Sequence, residues 1–159
     1  MTAATVTAAT VTAATMTAAT MTASTSKAQC NIIFTGQTTY STGAPPYELT
    51  AADVNDDHKP DIIVANSGSN NVGVLLNIGN GKFAVQATYS AGIRPYSVVA
   101  ADVNGDGKPD IIVVNYASGN VGVLLNIANG TFAAQTTYST GAGPFEAATA
   151  DVNGDGKPD

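Results

Sequence analysis

From about residue 31 the chain alternates between short apolar runs and clusters of turn residues, and the apolar runs have the length and β-branched content of strands. The pattern is plainest in the second half. Tyr96–Ala101 predicts a short strand, and Asp110–Asn115 (DIIVVN) predicts one that is apolar on both faces. A turn over Tyr116–Asn120 separates it from Val121–Asn126 (VGVLLN). Asn129-Gly130, a strong two-residue hairpin signal, then leads into Phe132–Tyr138. That makes four short antiparallel strands, two of them suited to a sheet stacked between neighbouring sheets. No segment carries a convincing amphipathic helical period.

The first 30 residues read differently. Residues 1–25 are five pentapeptides, MTAAT, VTAAT, VTAAT, MTAAT and MTAST, without a charge, glycine or proline. A period of five matches neither helix nor strand, so neither presents one apolar face. Thr and Ala also bury little area against the entropy of ordering. Residues 1–30 are therefore expected to be a low-complexity extension, disordered or weakly structured. With no basic leading region and no strongly apolar centre, the segment does not read as a secretory signal.

The rest, 31–159, is dominated by an internal repeat. DVNDDHKPD begins at Asp53, and DVNGDGKPD begins at Asp102 and again at Asp151, so the period is 49 residues. Residues 53–101 laid on 102–150 without a gap give 31 identities in 49 positions. Phe34, Phe83 and Phe132 fall in register, as do Tyr40, Tyr89 and Tyr138. The units are thus a partial 34–52, full repeats at 53–101 and 102–150, and a partial 151–159. Four strands in a repeat of this length are the signature of a β-propeller blade. The expected fold is all-β, with two full blades plus flanking strands forming an incomplete ring. Two units cannot close a ring, so the chain is expected to be a fragment of a longer array rather than one of several copies that complete a ring together.

Charge narrows the chemistry. Only 11% of residues are charged and the net charge is −6, yet ten of the twelve acidic residues lie in the three repeated windows. Six scattered bases make no footprint for nucleic acid or an anionic surface. No run of 18 apolar residues could cross a membrane as a helix. One cysteine (Cys30) and one histidine (His58) exclude a disulfide framework, a cysteine-rich zinc site and a Cys/His catalytic cluster. No acid/base pair or nucleophile stands outside the windows, so no catalytic activity is expected.

Within the second window Asp102, Asn104 and Asp106 occupy positions 1, 3 and 5, Lys108 position 7 and Asp110 position 9. Oxygen-bearing side chains at alternate positions of a tight loop can converge on one hard cation. Position 7 would add a backbone carbonyl, and Gly107 at position 6 permits the sharp turn. Calcium, which takes six to eight oxygens, suits this set better than magnesium, which keeps more of its water. Zinc is disfavoured where no nitrogen or sulfur ligand is present, as in the two glycine-bearing windows. An EF-hand would need Glu at position 12 on a helix, whereas Val64 and Val113 stand there inside strand-like runs.

The window DVNGDGKPD, followed by IIV and later by N-G-x-F, resembles the FG-GAP/VCBS repeat family, which includes the calcium-bearing blades of the integrin α-subunit propeller. The resemblance covers about 34–159. It implies a β-propeller with Ca2+ in the loop joining the first two strands of a blade, up to three ions here. The implied ligands are Asp53, Asn55, Asp57, Lys59 (carbonyl) and Asp61; Asp102, Asn104, Asp106, Lys108 (carbonyl) and Asp110; and Asp151, Asn153, Asp155, Lys157 (carbonyl) and Asp159. The 102–110 site is expected to be the strongest. In the first window His58 and Asp56 replace the glycines at positions 6 and 4, which weakens 53–61 if position 6 is left-handed. The matched windows do without a histidine, so His58 is not expected among the calcium ligands. The 151–159 site ends on Asp159 and is expected to be weak for want of a following strand.

These implications point to an extracellular or cell-surface interaction or adhesion-type module with structural calcium and a protein partner. Two alternatives are a carbohydrate-binding, lectin-like propeller using Tyr96 or Phe145, and an accessory domain of a larger enzyme. The recurrent Tyr and Phe positions are otherwise expected to pack blade against blade.

Overall fold

A computed structural model describes residues 5–12, 15–24, 31–34, 37–155 and 157–158. Among the described residues every regular element is a strand, and no helix occurs. The first sheet holds β1 (Thr5–Thr12), β2 (Thr15–Ser24) and β3 (Asn31–Phe34), with β4 (Thr38–Ser41) also paired to β2. Residues 1–4, 13–14 and 25–30, which the expectation of a disordered or weakly structured extension also covered, lie outside the described residues, while 5–12 and 15–24 of the Thr/Ala extension belong to this sheet. Its backbone runs as a hairpin whose register sets Val6 opposite Met21 and Val11 opposite Met16. Threonine's branched β-carbon favours extended backbone, which accounts for strands without an apolar stripe.

Two four-stranded antiparallel sheets follow. The first contains β5 (Glu48–Ala52), β6 (Asp61–Asn66), β7 (Asn71–Leu75) and β10 (Ala87–Ser90), in the order β10-β7-β6-β5. Between β7 and β10 the chain makes a small side ladder of β8 (Asn77–Gly79) and β9 (Lys82–Phe83). The second repeats this plan with β11 (Pro95–Ala101), β12 (Asp110–Asn115), β13 (Asn120–Leu124) and β16 (Thr136–Ser139), in the order β11-β12-β13-β16. Its side ladder is β14 (Asn126–Ala128) and β15 (Thr131–Phe132). These are two propeller blades in an incomplete ring. Each blade opens one strand upstream of its Asp window, so the sheets are offset from the 49-residue frame that starts at Asp53.

The middle strands β6 and β12 are buried at every position. Their alternation splits the core in two. Ile63, Ala65, Val72 and Val74 of the first blade pack with Val98, Ile111, Val113, Leu124 and Phe132 of the second. Ile62, Val64, Leu75 and Phe83 turn to the other side, where Tyr40 and Leu49 lie against them. Two pairs of the aromatic register pack across neighbouring sheets, the Tyr40 ring meeting Phe83 edge-on at 5.4 Å and Tyr89 meeting Phe132 at 5.3 Å, whereas Tyr138 is exposed.

One part of the strand pattern differs from expectation. Asn129-Gly130 does form a tight turn, with φ of 50° and 70°, but it closes the β14–β15 side ladder rather than joining the third blade strand to the fourth. The fourth strand is only Thr136–Ser139, not Phe132–Tyr138. The cause lies at Asn126. Its N–H donates to Asp110 Oδ1 at 2.8 Å, and its Nδ2 donates to Val54 O and Pro109 O at 2.9 and 3.1 Å. The chain is drawn out of the sheet there and rejoins it after Gln135.

Candidate metal centre

The Asp windows are the loops that join β5 to β6 and β11 to β12, at one end of the blades. In the second loop the Asp102 carboxylate gathers three backbone donors. Oδ1 accepts from Gly105 N at 2.7 Å and Asp106 N at 3.1 Å, while Oδ2 accepts from Gly107 N at 2.7 Å. Asn104 Oδ1 accepts from Asp106 N at 2.8 Å, and Asp106 Oδ1 accepts from Lys108 N at 2.9 Å. Side chains at positions 1, 3 and 5 are thereby held by the turn itself. Positions 4 and 6 are left-handed, with φ of 78° at Gly105 and 83° at Gly107, a region that glycine enters without steric cost.

The first loop has the same backbone on different residues. Asp53 accepts from Asp57 N at 3.2 Å and His58 N at 2.7 Å, Asn55 Oδ1 from Asp57 N at 3.2 Å, and Asp57 Oδ1 from Lys59 N at 3.0 Å. Asp56 and His58 take φ of 63° and 62°. The left-handed turn at position 6 is therefore kept, and a β-carbon bears the strain there. In the third loop Asp151 Oδ1 accepts from Gly154 N and Asp155 N, Asn153 Oδ1 from Asp155 N, and Asp155 Oδ1 from Lys157 N. Gly156 and Asp159 lie outside the described residues.

Position 9 plays a different part. Asp61 and Asp110 are fully buried. Asp61 Oδ2 accepts from Val54 N at 3.0 Å and Oδ1 from Asn77 N at 2.7 Å. Asp110 does the same with Val103 N at 3.1 Å and Asn126 N at 2.8 Å. Each carboxylate thus ties its loop to the start of the side ladder. The partners Asn77 and Asn126 escaped the sequence reading, although their recurrence at the 49-residue spacing was a usable signal.

The electrostatics separate the two kinds of aspartate. The Lys59 ammonium, 3.0 Å from Asp57 Oδ2, holds the Asp57 carboxyl below its usual range. Lys108, 3.1 Å from Asp106 Oδ2, does so for Asp106. At Asp102 desolvation pushes upward, but the N–H donors of Gly107, Gly105 and Asp106 outweigh it and the net shift is downward. Asp61 moves the other way. Burial raises it, the N–H groups of Asn77 and Val54 oppose, and the charges of Asp57 and Asp53 add to the rise.

The donor chemistry fits calcium. Among the described residues every implied side-chain ligand is a carboxylate or amide oxygen, pre-oriented by backbone N–H groups, and the lysine ammoniums on Asp57 and Asp106 already mark those carboxylates as seats for positive charge. Loops one and two face a shared cleft of about 390 Å3, lined by Asp53, Asn55, Asp56 and Asp106 among others.

Comparison with known proteins agrees with the architecture. The family model described as an FG-GAP-like repeat matches residues 53–113 and again 102–159. No curated protein matches the chain. The two overlapping matches cover both Asp-loop-to-strand units and most of the chain's length, and the chain belongs to the FG-GAP-like repeat family.

Proposed function

We propose that the chain is a calcium-binding β-propeller repeat module of an extracellular or cell-surface protein, engaging a protein partner, with the ions serving structure. The observation that carries this reading is the convergence of Asp102, Asn104 and Asp106 on a single left-handed turn. Bound there, Ca2+ would neutralise facing carboxylates, and its binding free energy would add to folding stability. Asp102, Asn104, Asp106, the Lys108 carbonyl and Asp110 would hold it, with the same positions in the other loops. The chain's own residues do the rest. Backbone N–H groups fix the carboxylates, Lys108 screens Asp106, and Asp110 braces the loop against the side ladder. Calcium titration followed by thermal melting tests the reading. A melting temperature that neither rises with calcium nor falls with chelator would refute it.

A carbohydrate-binding role is the second reading, supported by an aromatic group near the starts of β5 and β11. Tyr47 stacks on Tyr96 at 4.1 Å, and Phe145 meets Tyr96 edge-on at 5.6 Å. Tyr47 and Phe145 are half-exposed beside Glu48 and Glu146, leaving ring surface and the Glu146 carboxylate for a sugar, while Glu48 Oε2 accepts from Val98 N at 3.0 Å. Glycan binding that is lost in Phe145→Ala would favour it over the protein partner.

A further inference from the structure

The first loop differs from the second at two positions in nine, and both differences introduce a side chain able to bind a metal. Asp56 stands for Gly105 and His58 for Gly107, and the backbone keeps its left-handed φ at both. A Cβ at Gly107 would meet nothing within 4 Å, so a side chain at position 6 stands clear of the fold. The His58 side chain is accordingly 91% exposed, with Nδ1 3.9 Å from Asp53 Oδ2. One ligand atom from each of Asp53, Asp56 and His58 falls within 4.8 Å of the others. Among the described residues no other trio of His, Cys, Asp or Glu converges in this way.

We propose that Asp53, Asp56 and His58 form a site for a divalent transition ion of the zinc class. An ion held about 2.0–2.2 Å from an imidazole nitrogen and two carboxylate oxygens has a ligand set that zinc accepts, with water completing the shell. The 3.9 Å between Nδ1 and Oδ2 is short enough for one ion to touch both. The hard, all-oxygen loops have no such nitrogen. This site uses neither Asn55 nor Asp57 nor Lys59, and it does not depend on the calcium reading. Only Asp53 is common to both, through a carboxylate with two oxygens.

The chain contains one histidine, so its ring signals in NMR report the site without ambiguity. The experiment titrates Zn2+ into the metal-free full chain carrying Cys30→Ser, which removes the single thiol. The expected result is a saturable shift of the His58 ring signals at one equivalent of zinc. In Asp56→Gly, which restores the residue of the sister loops and keeps the reporter, the shift should need at least about tenfold more zinc. In His58→Gly, calorimetry should find the zinc heat gone. Ring signals unmoved by excess zinc would overturn the proposal, as would an Asp56→Gly titration identical to the parent, which marks a lone surface histidine. Calcium-dependent melting is read separately on the same variants, so loss of the calcium effect with zinc binding intact counts against the calcium reading alone.

Discussion

The Asp110 carboxylate accepts the backbone N–H of Asn126, sixteen residues downstream, at 2.8 Å, and Asp61 repeats the bond to Asn77 at 2.7 Å. Each acid is buried and spends its other oxygen on the residue at position 2 of its own loop. Asp110→Ala leaves two N–H donors unsatisfied. It should destabilise the protein by about 2–4 kcal/mol, from about 1–3 kcal/mol for each stranded buried group with partial relief by water. Chemical denaturation in chelator would show the loss, which should persist without calcium. An unchanged midpoint would mean that the carboxylate is only a ligand.

Asp106 is the contrasting case, exposed and screened by Lys108. Asp106→Ala should leave the metal-free melting temperature nearly unchanged and abolish most of the calcium response of that loop. At free calcium about 100 times the dissociation constant, an intact site contributes about 2.7 kcal/mol. Melting curves with and without calcium measure the difference directly.

Replacing Asp56 and His58 together by glycine should stabilise the metal-free first loop by up to about 1 kcal/mol, since both residues carry a β-carbon at positive φ. Calcium affinity at that loop should rise in step. Weaker calcium binding in the double variant would show that Asp56 or His58 takes part in holding the ion.

Stability of the metal-free protein should depend on acid in two opposing ways. Asp57, Asp102 and Asp106 have lowered values. Their contribution is present above the ordinary carboxylate pKa and is lost as pH falls below it and through their lowered folded values. Asp61 is raised, so its ionised form opposes folding above its folded pKa and that cost disappears on acidification. Asp61→Asn removes the compensating term. Its melting temperature should therefore fall more steeply than the parent's between about pH 7 and about pH 3. Parallel pH profiles would contradict the assignment.

Gly122 in β13 lies beneath the Gln135 side chain, and a Cβ there would collide with Gln135 Oε1. Gly122→Ala should cost about 1 kcal/mol, because the Gln135 side chain must swing aside and give up the bond it accepts from Asn115 Nδ2. In Gln135→Ala, where that bond is already gone, Gly122→Ala should cost little more. Additive losses in the double variant would place the strain elsewhere.

The apolar runs made the middle strands legible in the sequence. Asp110–Asn115 is β12 residue for residue, because a β-branched stretch buried on both faces leaves few alternatives. The fourth strand was not legible, since Asn129-Gly130 states that the chain turns there but not which ladder the turn closes. That choice is made by Asn126, whose bonds reach Val54, 72 residues away, and Asp110. The loop positions were legible from spacing alone. The bracing role at position 9 was not, because an aspartate that binds a cation and one that binds N–H groups look alike in sequence. Nor does spacing show that Asp56 and His58 reach the same side of the loop as Asp53.

The carbonyl of Val54, at position 2 of the first loop, receives both Gly130 N at 3.0 Å and Asn126 Nδ2 at 2.9 Å from the following blade. The loop of one blade is therefore a wall of the next. In a tandem array this makes occupancy a nearest-neighbour variable. Ordering one loop lowers the cost of ordering the side ladder after it, and through that ladder's aspartate bond the loop beyond. Melting should propagate along the row as a front rather than blade by blade, with the position of an emptied loop deciding where the front begins.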